Sequence, residues 1–177
     1  YDSLNEALAA MHELNRSPLD VFALELQIPA TLLVRLGGSA KALPGRLRRL
    51  SELLGRGEVI LGEEEAALWE KLREFNWLPV SHTLLKVPVT PARIPALEVR
   101  LEQGRARRRY SVGGNLAWVG WPGEAGEIDA ILRELDLSGL RVLGLPAPPW
   151  VGVRPPGRAF ARRVKRALDS EGRFLQL

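Results

Sequence analysis

The chain has 177 residues, a formal charge of +4, no Cys and only two His. That length suits one domain, or at most two small ones, and lets a core form without disulfide or metal staples. Without Cys the chain offers no disulfide, thiolate nucleophile, iron–sulfur cluster or cysteine zinc site, and two distant histidines leave little for a histidine metal centre or a His-based relay.

Six helices are expected from apolar spacing. The first follows Ser3, with Glu6 completing an S-x-x-E capping box, and aligns Leu4, Leu8, Met11 and Leu14. The second presents Leu43, Leu47, Leu50 and Leu54. Pro44 places its start near Leu43, and Gly55 stops it. The third opens on Glu63, Glu64 and Glu65, which suit the positive end of a helix dipole, and would bury Ala66, Trp69, Leu72 and Phe75. A fourth begins near Pro91 and carries Ile94, Leu97 and Leu101. The fifth uses Ile128, Ile131, Leu132 and Leu135, and the last Phe160, Val164, Ala167 and Leu168.

Strand-like runs with period two lie at 19–27, 31–36, 82–89, 107–112, 115–121 and 140–145, and a short apolar run at 58–61. In the run at 82–89, Leu84 and Lys86 take one face and Leu85 and Val87 the other. Gly113-Gly114 reads as a two-residue hairpin turn. The order from 82 to 145 is then β-α-β-β-α-β, the split βαβ unit of ferredoxin-like folds, and the order from 3 to 61 is the same unit without its first strand. The expectation is an α+β fold made of two such halves, an antiparallel sheet with helices mainly on one face. The other face would carry Glu25, Gln27, Arg35, Lys86 and one set of the 107–110 side chains, and would meet solvent or another domain.

Arg (21 residues) far outnumbers Lys (4), and Pro reaches 13. This is a thermophile-like composition, which high-GC codon usage also produces. Arg105, Arg107, Arg108 and Arg109 form one basic cluster, and 154–173 holds seven basic and two acidic residues. These could serve an anion or nucleic acid. The plainer reading is a solvated helix face and charges protecting a strand edge. Tyr110 and Trp118 do not reproduce the aromatic pattern of an RNA-binding sheet, so nucleic acid is not expected. Lys86, alone in an apolar strand, could hold a substrate carboxylate or a flavin-bound anion, or could pair with Glu25 or snorkel to the sheet edge. His12 and His82 read as structural, the five Trp as core or domain-interface residues, and no pair of acids stands out as a general acid/base couple.

Several segments together resemble one family. Pro18-Leu-Asp-Val-Phe-Ala-Leu-Glu25 followed by Leu33-Val-Arg-Leu-Gly-Gly-Ser39 resembles the strand pair and L-x-R-x-x-G turn of FAD-linked oxidases of the vanillyl-alcohol oxidase type. Trp69-Glu-Lys-Leu-Arg-Glu-Phe-Asn76 is similar to the helix preceding their strand, here Leu84-Leu85-Lys86-Val87-Pro88. Ser111-Val-Gly-Gly-Asn-Leu-Ala-Trp118 resembles the GGA-x-x-W segment of glycolate oxidase E subunits (GlcE), and Arg163-Val-Lys-Arg-Ala-Leu-Asp-Ser-Glu-Gly-Arg-Phe174 the closing helix. The resemblance implies that 1–177 is a single C-terminal cap or substrate-side domain. An upstream domain would supply most of the FAD site, consistent with a chain that starts at Tyr1 rather than Met. It implies a 2-hydroxy acid substrate such as glycolate, with flavin and iron–sulfur subunits as partners. The location implied is cytoplasmic, or peripheral at the inner membrane through those subunits. It places Lys86 at the substrate carboxylate and Tyr110 and Asn115 on the flavin-facing side, and names no catalytic base. In the related 2-hydroxyacid dehydrogenases an H-x-G-D-G-N-L-H segment binds a metal. Aligned on Gly114-Asn115-Leu116, its His positions fall on Tyr110 and Ala117, so no metal is expected. The family's N-P-G after the closing helix is replaced by Phe174-Leu175-Gln176-Leu177.

Overall fold

The computed structural model describes residues 1–144, 148–153, 157–169 and 171–173. Helix α1 (Leu4–Arg16) starts where expected: the Ser3 hydroxyl accepts the backbone N–H of Glu6, and the Glu6 carboxylate reaches back to the N–H of Asp2. Strands β1 (Ala23–Gln27) and β2 (Thr31–Arg35) form an antiparallel hairpin. Helix α2 (Leu43–Leu54) carries Pro44 in its first turn and ends at Gly55 in the left-handed conformation, φ 64°. Then follow α3 (Gly62–Arg73), β3 (Thr83–Pro88), a 3-10 turn at Pro91–Arg93, α4 (Ile94–Gln103), β4 (Arg107–Ser111) and β5 (Leu116–Trp121). The described chain closes with α5 (Ala125–Glu134), β6 (Ser138–Leu143), β7 (Trp150–Gly152) and α6 (Arg158–Leu168).

The seven strands form one sheet in the order β2-β1-β4-β5-β3-β6-β7, antiparallel throughout. The fold is α+β. The second half contributes β4-β5-β3-β6, with α4 and α5 as the two connections. The first half contributes only the β1-β2 hairpin, which joins the same sheet through Leu26 opposite Tyr110 and Gln27 opposite Arg109.

Residues 58–61 form no strand, which corrects the expected element. Gly57 (φ 133°) and Gly62 (φ 65°) turn the backbone out of an extended path on both sides, and Val59 and Leu61 remain exposed. A short strand not foreseen, β7, pairs with the first half of β6, Ser138 to Leu140. At its end Gly152 takes φ 77°, where a Cβ would stand 2.3 Å from the carbonyl oxygen of Leu137, so only glycine fits. The expected two-residue turn at Gly113-Gly114 is a four-residue one, because the register sets Ser111 opposite Leu116. The predicted strand end at Leu145 lies outside the described residues.

Period two decides what each strand buries. Leu24, Leu26, Leu85, Val87, Tyr110, Ala117 and Val119 share one buried cluster with Met11 and Leu14 of α1, Leu50 of α2, Leu97 and Leu101 of α4, and Ile128 and Leu132 of α5. Four helices therefore cover one face. Each fully buried leucine there contributes about 1.5–3 kcal/mol of transfer free energy. Helix α3 takes the opposite face. Its Glu65 pairs with Arg35 of β2 at 2.7 Å, and its Leu72 carbonyl accepts Arg109 Nη2 at 3.1 Å.

Candidate functional site: the polar face of the sheet

Cross-strand neighbours point the same way, so register alone lines up a row of side chains on this second face. The row runs from Gln27 on β1 through Arg109, Trp118, Lys86 and Leu140 to Trp150 on β7. Its two ends differ in kind.

At the β1–β4 end the face is closed. Arg109 and Glu25 are 7% and 8% exposed, and the guanidinium Nη1 donates to the Glu25 carboxylate. The Ser111 hydroxyl donates to the same carboxylate oxygen at 2.8 Å. The guanidinium carbon also lies 5.4 Å from the Phe75 ring centroid, 5.8 Å from that of Trp77 and 5.9 Å from that of Trp118. Phe75 meets Trp118 edge-on at 4.8 Å. Helix α3 and the chain just after it are thus pinned to the sheet by one arginine, through charge, a backbone carbonyl and three ring faces. Burial pushes the Glu25 carboxyl up, against the opposing pull of Arg109 and the Ser111 hydrogen bond. Burial likewise pushes Arg109 down, against the pull of Glu25.

At the β3–β6–β7 end the face is open. Lys86 is exposed, Leu140 and Trp150 are half-buried, and Val142 is exposed. The Lys86 ammonium stands 5.9 Å from the Trp118 ring centroid and has no carboxylate partner among the described residues. Glu25, one partner the sequence offered, is spent on Arg109 and sits three strands away, roughly 14 Å at ordinary strand spacing. The site can therefore offer a lone positive charge beside an indole, next to an apolar strip on β6 and β7. Apart from Lys86 and the buried Arg109, its row holds no ionisable side chain.

The other two expected site residues do not join Lys86. Tyr110 pairs across β5 with Ala117, whose other neighbour is Val87, so it points to the helix-covered face. There it is fully buried and donates to Glu98 Oε1 at 2.5 Å, while Arg108 grips the same carboxylate through Nε at 2.9 Å and Nη2 at 2.7 Å. Burial, and then the Glu98 charge, raise the Tyr110 phenol far above its ordinary value. Asn115 is exposed on the β4–β5 turn, where its side-chain amide donates to the Val112 carbonyl at 2.9 Å. It lies three residues from Trp118, roughly 10 Å along the strand. A single flavin-facing side holding Lys86, Tyr110 and Asn115 is therefore corrected: strand alternation puts the first two on opposite faces, and the third sits at the strand end.

The β4 arginines are also reassigned. Arg108 and Arg109 neutralise buried carboxylates on opposite faces of an interior strand, so they neither guard an edge nor form an exposed anion patch. Both networks leave a trace in the sequence. Glu98 falls on the buried stripe of α4 beside Ile94, Leu97 and Leu101, and Glu25 interrupts an apolar strand. A concavity of about 390 Å³ lies away from this face between α1 and Leu53, and one of about 330 Å³ beside Phe22 and Val112 reaches Glu25 at its closed end. Among the described residues no group of three or more His, Asp or Glu could hold a metal ion, and no helix is long and apolar enough to cross a membrane. No family model, no curated protein and no solved structure matches this chain.

Proposed function

We propose that this chain is the cap-side domain of an FAD-linked oxidoreductase of the glycolate oxidase E-subunit kind. In this reading the open half of the polar sheet face turns toward the flavin and a 2-hydroxy acid. The observation that carries it is Lys86, a cation on an otherwise apolar strand, exposed and unspent on any carboxylate of the described chain. Lys86 binds the substrate carboxylate, and Trp118, Leu140 and Trp150 line the adjoining surface and exclude water. The donor set fits FAD in part. A lysine beside an indole suits one edge of a planar, electron-accepting ring, whereas the pyrophosphate and adenine find no glycine-rich loop among the described residues and need other residues to hold them. When bound, FAD supplies the hydride acceptor. Flavin and iron–sulfur subunits are the partners this reading implies.

The test is the visible absorption spectrum of the native protein with its natural upstream residues, beside that of the 177-residue chain. Flavin bands in the longer protein, with turnover of a 2-hydroxy acid whose KM rises about tenfold or more in Lys86→Met, are expected for loss of a charge-assisted contact. Absence of flavin from both would sink the reading. The exposed Val142 and Leu143 on β6 favour a second reading, in which the same face is a protein interface of a non-catalytic subunit. Lys86→Met without effect on turnover would support that one.

A further inference from the structure

Helix α6 carries an apolar stripe on a strongly basic body. Phe160, Val164 and Leu168 recur at four-residue spacing and so share one face. They are 67%, 38% and 80% exposed. Arg162, Arg163, Lys165 and Arg166 lie off that stripe, and at 3.6 residues per turn Arg163 and Lys165 flank it on either side. Lys165 pairs with Asp169 at 2.6 Å. Arg162, Arg163 and Arg166 are exposed and have no carboxylate partner among the described residues. Seven basic and two acidic residues lie within 154–173, against +4 for the whole chain, so the net positive charge of the protein is concentrated in this segment.

We propose that α6 is an in-plane anchor for an anionic lipid surface. The reading goes beyond the oxidoreductase proposal and does not depend on flavin. A protein partner covering the stripe would need a carboxylate for the flanking Arg163 guanidinium, or would leave that charge desolvated. An anionic bilayer meets both needs at one depth. The acyl boundary takes Phe160, Val164 and Leu168, and headgroup phosphates take the arginines, whose apolar stems snorkel upward. Eleven residues are too few to span a bilayer, so the helix lies along the surface.

Co-sedimentation of the native protein with phosphatidylcholine vesicles, with and without phosphatidylglycerol, tests this. Binding should be roughly tenfold tighter or more with the anionic lipid and weaken steeply with added salt. The double variant Phe160→Ser/Leu168→Ser should lose binding about tenfold while keeping its circular dichroism spectrum. Arg162→Gln/Arg163→Gln/Arg166→Gln should abolish the preference for phosphatidylglycerol. Equal binding to both vesicles, no binding to either, or binding untouched by Phe160→Ser/Leu168→Ser would overturn the proposal. So would self-association of the protein that disappears in that variant, because α6 would then be covered by a second copy.

Discussion

Replacing Glu25 by Leu tests how the polar face is closed. The substitution removes the carboxylate that faces Arg109 Nη1 and leaves a guanidinium only 7% exposed, held by Ser111, the Leu72 carbonyl and three aromatic rings. Removing one partner of a buried ion pair costs about 3–5 kcal/mol, because the charge left behind stays desolvated. For a chain of this size each kcal/mol shifts Tm by about 2–4 °C, so a fall of roughly 6–20 °C is expected. Urea unfolding should report the same loss in midpoint with little change in slope. The double variant Glu25→Leu/Arg109→Met removes both charges but keeps an apolar stem under Phe75, Trp77 and Trp118, and should recover most of the stability. A single-variant loss below about 1 kcal/mol would refute the reasoning, since it would place the pair among solvent-screened ones. A double variant no better than the single one would refute it too, by making packing rather than charge the cause.

Two further outcomes concern the same networks, and a third the Asp129 contacts at the end of β7. Burial holds the folded-state value of Glu25 above that of the unfolded chain, so its contribution is complete below the unfolded value and is lost as pH rises through the folded one; Glu25→Gln should flatten the decline in Tm over that acid window. Tyr110→Phe removes a buried hydrogen bond to Glu98 and should cost about 1–3 kcal/mol, and in the wild type the Tyr110 phenol should ionise only on unfolding, as followed by ultraviolet titration. Asp129 accepts Arg133 and the backbone N–H of Gly152, which hold its carboxyl low; the stability it lends is present above its unfolded value and is lost as pH falls through the folded one. Asp129→Ala should therefore loosen β7, read as faster amide exchange at Gly152.

Much of the local structure was legible in the sequence because its causes are local. The Ser3–Glu6 cap, Pro44 and Gly55 bounding α2, and the alternation Leu84-Leu85-Lys86-Val87 depend on residues a few positions apart, and all appear as read. What escaped depends on which distant segments meet. Glu25 and Arg109 are 84 residues apart, and nothing near either names the other. Strand order decides that Lys86 neighbours Trp118 and Leu140 instead of Glu25. The side that α3 takes was invisible too, because its helix pattern shows that a face is buried but not against which side of the sheet. The run at 58–61 and strand β7 show the same limit from two directions. The apolar run Val59-Ile60-Leu61 stays out of the sheet when the flanking glycines turn it away, and three residues become a strand because β6 offers an edge to pair with. Periodicity is set by neighbours along the chain and fixes what an element would bury. The close approach of remote strands decides where each charge finds its partner, and leaves Lys86 on the open face without one among the described residues.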